Sequence, residues 1–341
     1  MQLWGDGFDH YGIRANADVF YTHHNYGITT DHPRTGNWSA ILNHGGDQWF
    51  ARPIPNSRTV IMGAALMTLT TTSGGLQGIF ISRNIDFATA VAVYITSSNS
   101  ILVTRGNTAL GETAPGIYTP GTYNYIQVKV FNDDNNGTIE VRLGSNPVPI
   151  ILLTNQSLHS VDFNNVGFVG NMGDNANVDK DMYIDDFYIN DLTGIYNNDF
   201  CGVVRCRTRL TSANGGSQAW VPLNAPAYNE LNVIPFNGAA HNIAGANVND
   251  VSNFGVDAVP TNTAFAASQI IFLAASKSDA GACTITPQIN SNGTVANGTP
   301  INPDVTYGMY LGGVFEFDPD TNAGWLLPGI QATLAQVDRT A

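Results

Sequence analysis

The sequence predicts an all-β protein: an antiparallel two-sheet sandwich followed by a second, smaller β domain. Three observations predict it. Short apolar or alternating runs recur about every 8–12 residues with turn residues between them. Helical periodicity is missing between those runs, and Ala-Glu-Lys-Leu stretches are almost absent. Only 12% of the 341 residues are charged, so Asn, Ser, Thr and Gly must keep the surface wet, and these residues favour tight turns.

The elements follow in chain order. "RTVIMGAALMTL" (Arg58–Leu69) is an apolar run with small residues, and "QGIFISR" (Gln77–Arg83) follows the Gly-rich "TTTSGG". "TAVAVYITS" and "SILVTRG" flank Ser-Asn and read as a hairpin. "YNYIQVKVFN" (Tyr123–Asn132) alternates strictly, with Ile126, Val128 and Val130 on one face. "DDNNG" turns the chain, and "TIEVRLGS" alternates again, which is the strongest hairpin signal present. "NNVGFVGN" and "MYIDDFYIND" (Met182–Asp191) supply the next strands. After Gly194 the texture changes, so a domain boundary is expected near residue 198, giving domains 1–198 and 199–341. "VVRCRTRL" (Val203–Leu210) reads as a strand with Arg205, Arg207 and Arg209 on one face. "ASQIIFLAASK", "GACTITPQIN" and "TYGMYLGGVFEFDP" follow as further strands. These second-half strands look too few to bury runs such as Ile270–Ala275, so this half is expected to help in docking.

Bulk charge excludes some functions. The net charge is −13 with three lysines, Lys129, Lys180 and Lys277, so neither nucleic acid nor an anionic membrane is an expected partner. Cys201, Cys206 and Cys283 form no disulfide framework and no zinc set. The opening "MQLWGDGFDHYG" has no signal-peptide regions, which implies synthesis in a cytoplasm.

The adjacent Asp185 and Asp186 pose the functional question. On a regular strand, neighbours point to opposite faces, so the two should not meet on one substrate. Retaining glycosidases need carboxyl groups about 5 Å apart. The four glutamates, Glu112, Glu140, Glu230 and Glu316, fall in no E-x-D-x-x-E spacing. No catalytic residue and no cofactor is therefore expected. One of the aspartates should accept N–H or Arg hydrogen bonds where the strand closes the domain. Asp174, Asp179, Asp181 and Asp185 crowd one stretch with several asparagines. Calcium takes such oxygens, but "GDNANVDKD" lacks EF-hand order and Asp/Asn also build turns; no metal is expected, with calcium there as the alternative. Trp4, Tyr26, Trp38 and Trp49 belong to an aromatic-rich N-terminal stretch that would serve core packing or a subunit interface before a glycan.

The "RTG" of Arg34–Gly36, "VIMGAAL", "QGIFIS", the long hairpin and "YIDDFYINDLTG" together resemble a concanavalin A-like (laminin G-like) jelly-roll domain. The closing segment Ile184–Asn197 and the later "WVP" (Trp220–Pro222), Glu230, Ala275–Gly281 and Asp318–Trp325 resemble structural proteins of tailed bacteriophages. That resemblance implies a virion component without chemistry, whose partners are its own copies and other virion proteins of the capsid or tail. Capsid decoration, tail and fibre proteins all use such modules. The alternative is a host-glycan-binding receptor-recognition module of the tail.

Overall fold

A computed structural model describes residues 1–43, 48–70, 76–159, 161–172, 181–224, 226–263 and 265–341. It divides into two compact units. Unit 1 is Met1–Asp9 with Ala17–Arg207, and unit 2 is His10–Asn16 with Thr208–Ala341.

Unit 1 contains β1 (Gln2–Asp6), β2 (Thr22–His24), β3 (Gly27–Thr29), β4 (Ser39–Leu42), β5 (Gln48–Ser57), β6 (Thr59–Thr68), β7 (Leu76–Ser82), β8 (Val91–Ile95), β9 (Ile101–Arg105), β10 (Thr108–Glu112), β11 (Asn124–Phe131), β12 (Gly137–Leu143), β13 (Ile151–Gln156), β14 (Phe163–Met172) and β15 (Met182–Asn190). One sheet runs β13-β12-β11-β6-β15-β4-β3, with β1 also on β15; the other runs β10-β9-β8-β7-β14-β5-β2. All pairings are antiparallel, and β14 and β15 insert between strands from the first half of the unit. The chain thus crosses repeatedly between sheets and closes late, as in a jelly roll.

The alternation read from the sequence explains the core. Ile126, Val128 and Val130 are almost wholly buried, and Val128 pairs with Met62 and Val141. Phe168 of β14 meets Phe187 of β15 edge-on at 5.3 Å, and Phe50 and Phe8 complete this cluster. These rings fasten one sheet to the other.

The opposite face of the β6–β15 region is covered as well. Ile61, Ala65, Tyr125 and Tyr188 pack against Phe200, Cys201 and Val204. This corrects one expectation. "VVRCRTRL" is not a strand of either sheet; it lies extended with Val204 and Cys206 half-buried and Arg205 and Arg207 exposed, so its alternation reflects packing without a ladder. The division into units falls after Arg207. Lys129 binds Asp199 at 3.0 Å and the Cys201 N–H donates to Tyr188 Oη at 3.1 Å, which keeps this segment on unit 1.

Unit 2 contains β16 (Thr211–Gln218), β17 (Val221–Pro222), β18 (Ile243–Ala244), β19 (Val251–Val256), β20 (Phe265–Ala266), β21 (Gln269–Ala275), β22 (Ile285–Ser291), β23 (Thr294–Asn297), β24 (Gly308–Phe315), β25 (Trp325–Leu326) and β26 (Thr333–Arg339). A five-stranded sheet runs β16-β19-β26-β22-β23, and β17–β18, β20–β25 and β21–β24 form two-stranded ribbons. Two small cores serve it, one around Trp220, Phe254, Ile285 and Val337, the other around Ile289, Phe315, Trp325 and Ile330. The N-terminal segment contributes His10, stacked on Phe272 with centroids 3.8 Å apart. Unit 2 is therefore better provided with strands than its sequence suggests, yet Gln269–Ala274 of β21 stays only half-buried.

Candidate functional site

The two adjacent aspartates do not diverge. β15 pairs with β6 regularly as far as Asp185↔Ala65, then resumes at Tyr188↔Gly63. One extra residue on β15 makes a β-bulge there. Asp186 takes it up in the left-handed region, at φ 49°. The bulge resets the alternation: Phe187 turns to the sandwich core, Tyr188 joins the outer cluster, and the Asp186 carboxylate escapes the apolar interior. Strict alternation could not anticipate this, because it assumes an unbroken ladder.

Both carboxylates grip the turn before β4. Asp185 Oδ2 accepts the Arg34 N–H at 2.8 Å and the Thr35 N–H at 3.1 Å, and its Oδ1 accepts the Asp186 N–H at 2.7 Å. Asp186 Oδ2 accepts the Thr35 hydroxyl at 2.8 Å and Arg34 Nη1, and its Oδ1 accepts the Cys206 N–H at 2.6 Å. Arg34 Nη1 also donates to the Val204 carbonyl at 2.9 Å. A third carboxylate completes the grip: Asp9 Oδ1 accepts the N–H groups of Asn37 at 2.6 Å and Trp38 at 3.0 Å. Gly36 is required at the centre. Its φ is +71°, and a Cβ there would stand 1.8 Å from Asp9 Oδ2.

Burial governs the charge of this cluster. Asp185 and Asp186 are both 0% exposed. Burial, then the charge of Asp186, pushes Asp185 up to about 8 against the pull of its N–H donors. Burial also raises Asp186, opposed by the Cys206 N–H, the Thr35 hydroxyl and Arg34. Burial raises Asp9 to about 6. The Cys206 thiol is pushed well above its usual range by burial and then by the carboxylates around it, which leaves it a poor nucleophile. What the cluster does chemically is hold chain: it ties β15 to the Arg34–Trp38 turn and to Val204–Cys206.

The other residues singled out from the sequence are dispersed. Trp4 and Tyr26, candidates for the core, an interface or a glycan, are core residues at 0% and 2% exposure. Trp4 Nε1 donates to Tyr21 Oη at 3.1 Å with the Arg52 guanidinium 3.8 Å over its ring, and Tyr26 packs on Phe50 at 4.9 Å. The Tyr21 hydrogen bond seats Trp4, and ring packing seats Tyr26. Trp38 and Trp49 are half-buried; Trp49 meets Phe80 and Phe87 edge-on at 6.5 and 6.1 Å. Of the calcium candidates, Asp174 and Asp179 lie outside the described residues, Asp181 is half-buried just before β15, and Asp185 is spent as above. Among the described residues, no three His, Cys, Asp or Glu side chains are placed to hold a metal ion. Sequence reasoning missed Asp9, Arg34, Thr35 and Cys206 as partners of the aspartates; the one visible signal was the Gly36 of "RTG".

No protein-family model matches the chain, and no curated protein does. Solved structures do resemble it in fold. A lectin, UEA-II complexed with galactose, is 9% identical over 55% of this chain and 98% of its own, with a TM-score of 0.39. The catalytic domain of a glycoside hydrolase family 131 protein from Coprinopsis cinerea is 13% identical over 58% of this chain and 97% of its own, TM-score 0.40. Alginate lyase vAL-1 from Chlorella virus is 8% identical over 55% and 99%, TM-score 0.40. Likenesses this distant carry nothing about activity, and the strand order itself defines the class. The chain is a concanavalin A-like antiparallel β-sandwich joined to a second β unit.

Proposed function

We propose that the chain is a non-enzymatic structural component of a tailed-bacteriophage virion, in capsid decoration or in the tail. It works by contact with its own copies and with other virion proteins, and resides in the particle after assembly in the host cytoplasm. One observation carries the contact reading. The apolar run Ile270–Ala274 sits in a two-stranded ribbon and is only half-buried by its own chain. Ile271 and Leu273 lean on the two cores of unit 2, and covering the apolar area still exposed with another protein contributes about 25 cal/mol per Å² before association costs. The absence of chemistry is supported by Asp185 and Asp186, whose oxygens are committed to the chain's own donors, whereas general acid–base work needs reach to a substrate. The phage assignment rests on the resemblance of Ile184–Asn197 and of the second-half pattern. No helix among the described residues is long and apolar enough to cross a membrane.

Mass spectrometry of purified particles from the encoding genome tests this reading. A stoichiometric chain is expected, and its absence overturns the proposal, as does polysaccharide cleavage by the purified protein. A second reading, host-glycan recognition, is favoured by the half-buried Trp49 beside Phe80 and Phe87. Specific binding on a glycan array that is lost in Trp49→Ala would select it.

A further inference from the structure

Unit 2 presents a second apolar surface, apart from the β21 ribbon. β20 and β25 pair with Phe265 directly opposite Leu326. Both side chains are exposed, at 63% and 62%. Directly opposed residues lie about 5 Å apart at Cβ, so the two form one continuous patch. Their strand neighbour Trp325 is wholly buried, so the patch stands on a firm base. Leu326 also walls a hollow of about 180 Å³, together with Asp318, Thr321, Ala323, Pro328 and Gly329. That volume is several times the roughly 30 Å³ share of one water, enough to admit an apolar side chain.

Cations are sparse in this part of the chain, and Arg209 is tied to Gln269 Oε1 at 3.0 Å and to the Asp257 carbonyl at 2.7 Å. Residues 278 to 338 contain no Lys, Arg or His, and residues 210 to 276 contain only His241. Lys277 between them is held by the Gly281 carbonyl at 3.1 Å. Glu316, Asp318 and Asp320 fall within one short stretch leading to β25. The exposed Asp320 carboxylate accepts from the neutral side chains of Asn292 at 3.1 Å and Thr294 at 3.4 Å. Its negative charge is thus solvated rather than neutralised by these partners. A second copy of a chain with net charge −13 would meet like charge here.

We infer that the Phe265–Leu326 face docks a protein segment that carries an aliphatic or aromatic side chain flanked by lysine or arginine. The apolar side chain fills the hollow beside Leu326, and a flanking cation meets the exposed Asp320 carboxylate. This inference deepens the contact reading above and rests on it.

The test uses the full chain against an array of short synthetic peptides that vary independently in charge and apolar content. Bound peptides should combine an apolar residue with Lys or Arg. Affinity should fall as NaCl rises from about 50 to about 300 mM, because this charge contact is screened. The double variant Phe265→Ser with Leu326→Ser should weaken binding about tenfold or more, as loss of anchor contacts does. Both side chains are exposed, so the variant should keep the wild-type melting temperature. Selection of neutral or acidic peptides, or unchanged affinity in the double variant, overturns the inference. So does a concentration-dependent dimer that the double variant abolishes, since the occupant would then be a second copy. Peptide binding is read on the isolated protein and the virion assignment on particles, so either can fail without the other.

Discussion

Three buried carboxylates and one arginine decide how unit 1 closes. Asp186 keeps its charge tolerable through Arg34, which also reaches the Val204 carbonyl. Replacing Arg34 by Met leaves that carboxylate buried without its cation, which should cost about 3 kcal/mol or more at pH 8. The cost should shrink as pH falls, because burial makes the Asp186 carboxylate easier to protonate; urea denaturation at pH 8 and pH 5 measures both. The wild type has its own pH dependence. Asp9, Asp185 and Asp186 bind protons more tightly in the folded chain than their usual value of 3.8 allows in the unfolded one. Between about pH 4 and about pH 8 the folded state carries more protons, so stability falls as pH rises through that window. Asp133 and Asp250, lowered chiefly by backbone N–H donors, act oppositely and lose their contribution only as pH falls toward 4 and below. Unit 1 should therefore melt at a higher temperature at pH 5 than at pH 8, and calorimetry showing the reverse would contradict the assigned burial effects.

At the scale of elements, legibility followed the regularity of the ladder. The β11–β12 hairpin could be read because Ile126, Val128 and Val130 alternate without a break and "DDNNG" supplies the turn. β15 could be placed but its side chains could not be aimed, because the one-residue bulge at Asp186 reverses the faces that follow it. "VVRCRTRL" has the alternation of a strand for a different reason: Val204 and Cys206 press on a sheet face while the backbone bonds to the Asp186 and Arg34 side chains. β16, "TSANGGSQ", has no apolar pattern and is held by backbone pairing with β19, so nothing in its composition announces it. Arg34 and Thr35 lie about 150 residues from the aspartates in sequence, and Cys206 lies 20 residues away in a segment that pairs with no strand, so no local pattern reveals these partners. β26 is the element on which unit 2 depends most, because it lies between β19 and β22 in the five-stranded sheet. Deleting residues 333–341 should abolish the melting transition of unit 2 and the amide protection of β19 and β22, while the unit 1 transition persists. Calorimetry and hydrogen exchange on the shortened chain would check this.

At the scale of the molecule, the division of labour follows from where apolar surface is left over. Unit 1 encloses its aromatic core between two sheets and covers an outer face with its own residues 198–207. Unit 2 leaves β21 half-covered and Phe265 and Leu326 exposed. Under the proposed function this leftover surface is where the chain meets other proteins, whereas its acidic cluster holds the chain itself. Amide hydrogen exchange on the full-length protein tests that central claim most directly. The N–H groups of Arg34, Thr35 and Cys206 should exchange only with the slowest amides of unit 1, because each donates to a buried carboxylate. If residues 203–207 instead exchange as fast as an open linker, the aspartates are not spent on the fold, and their role would have to be sought in a ligand.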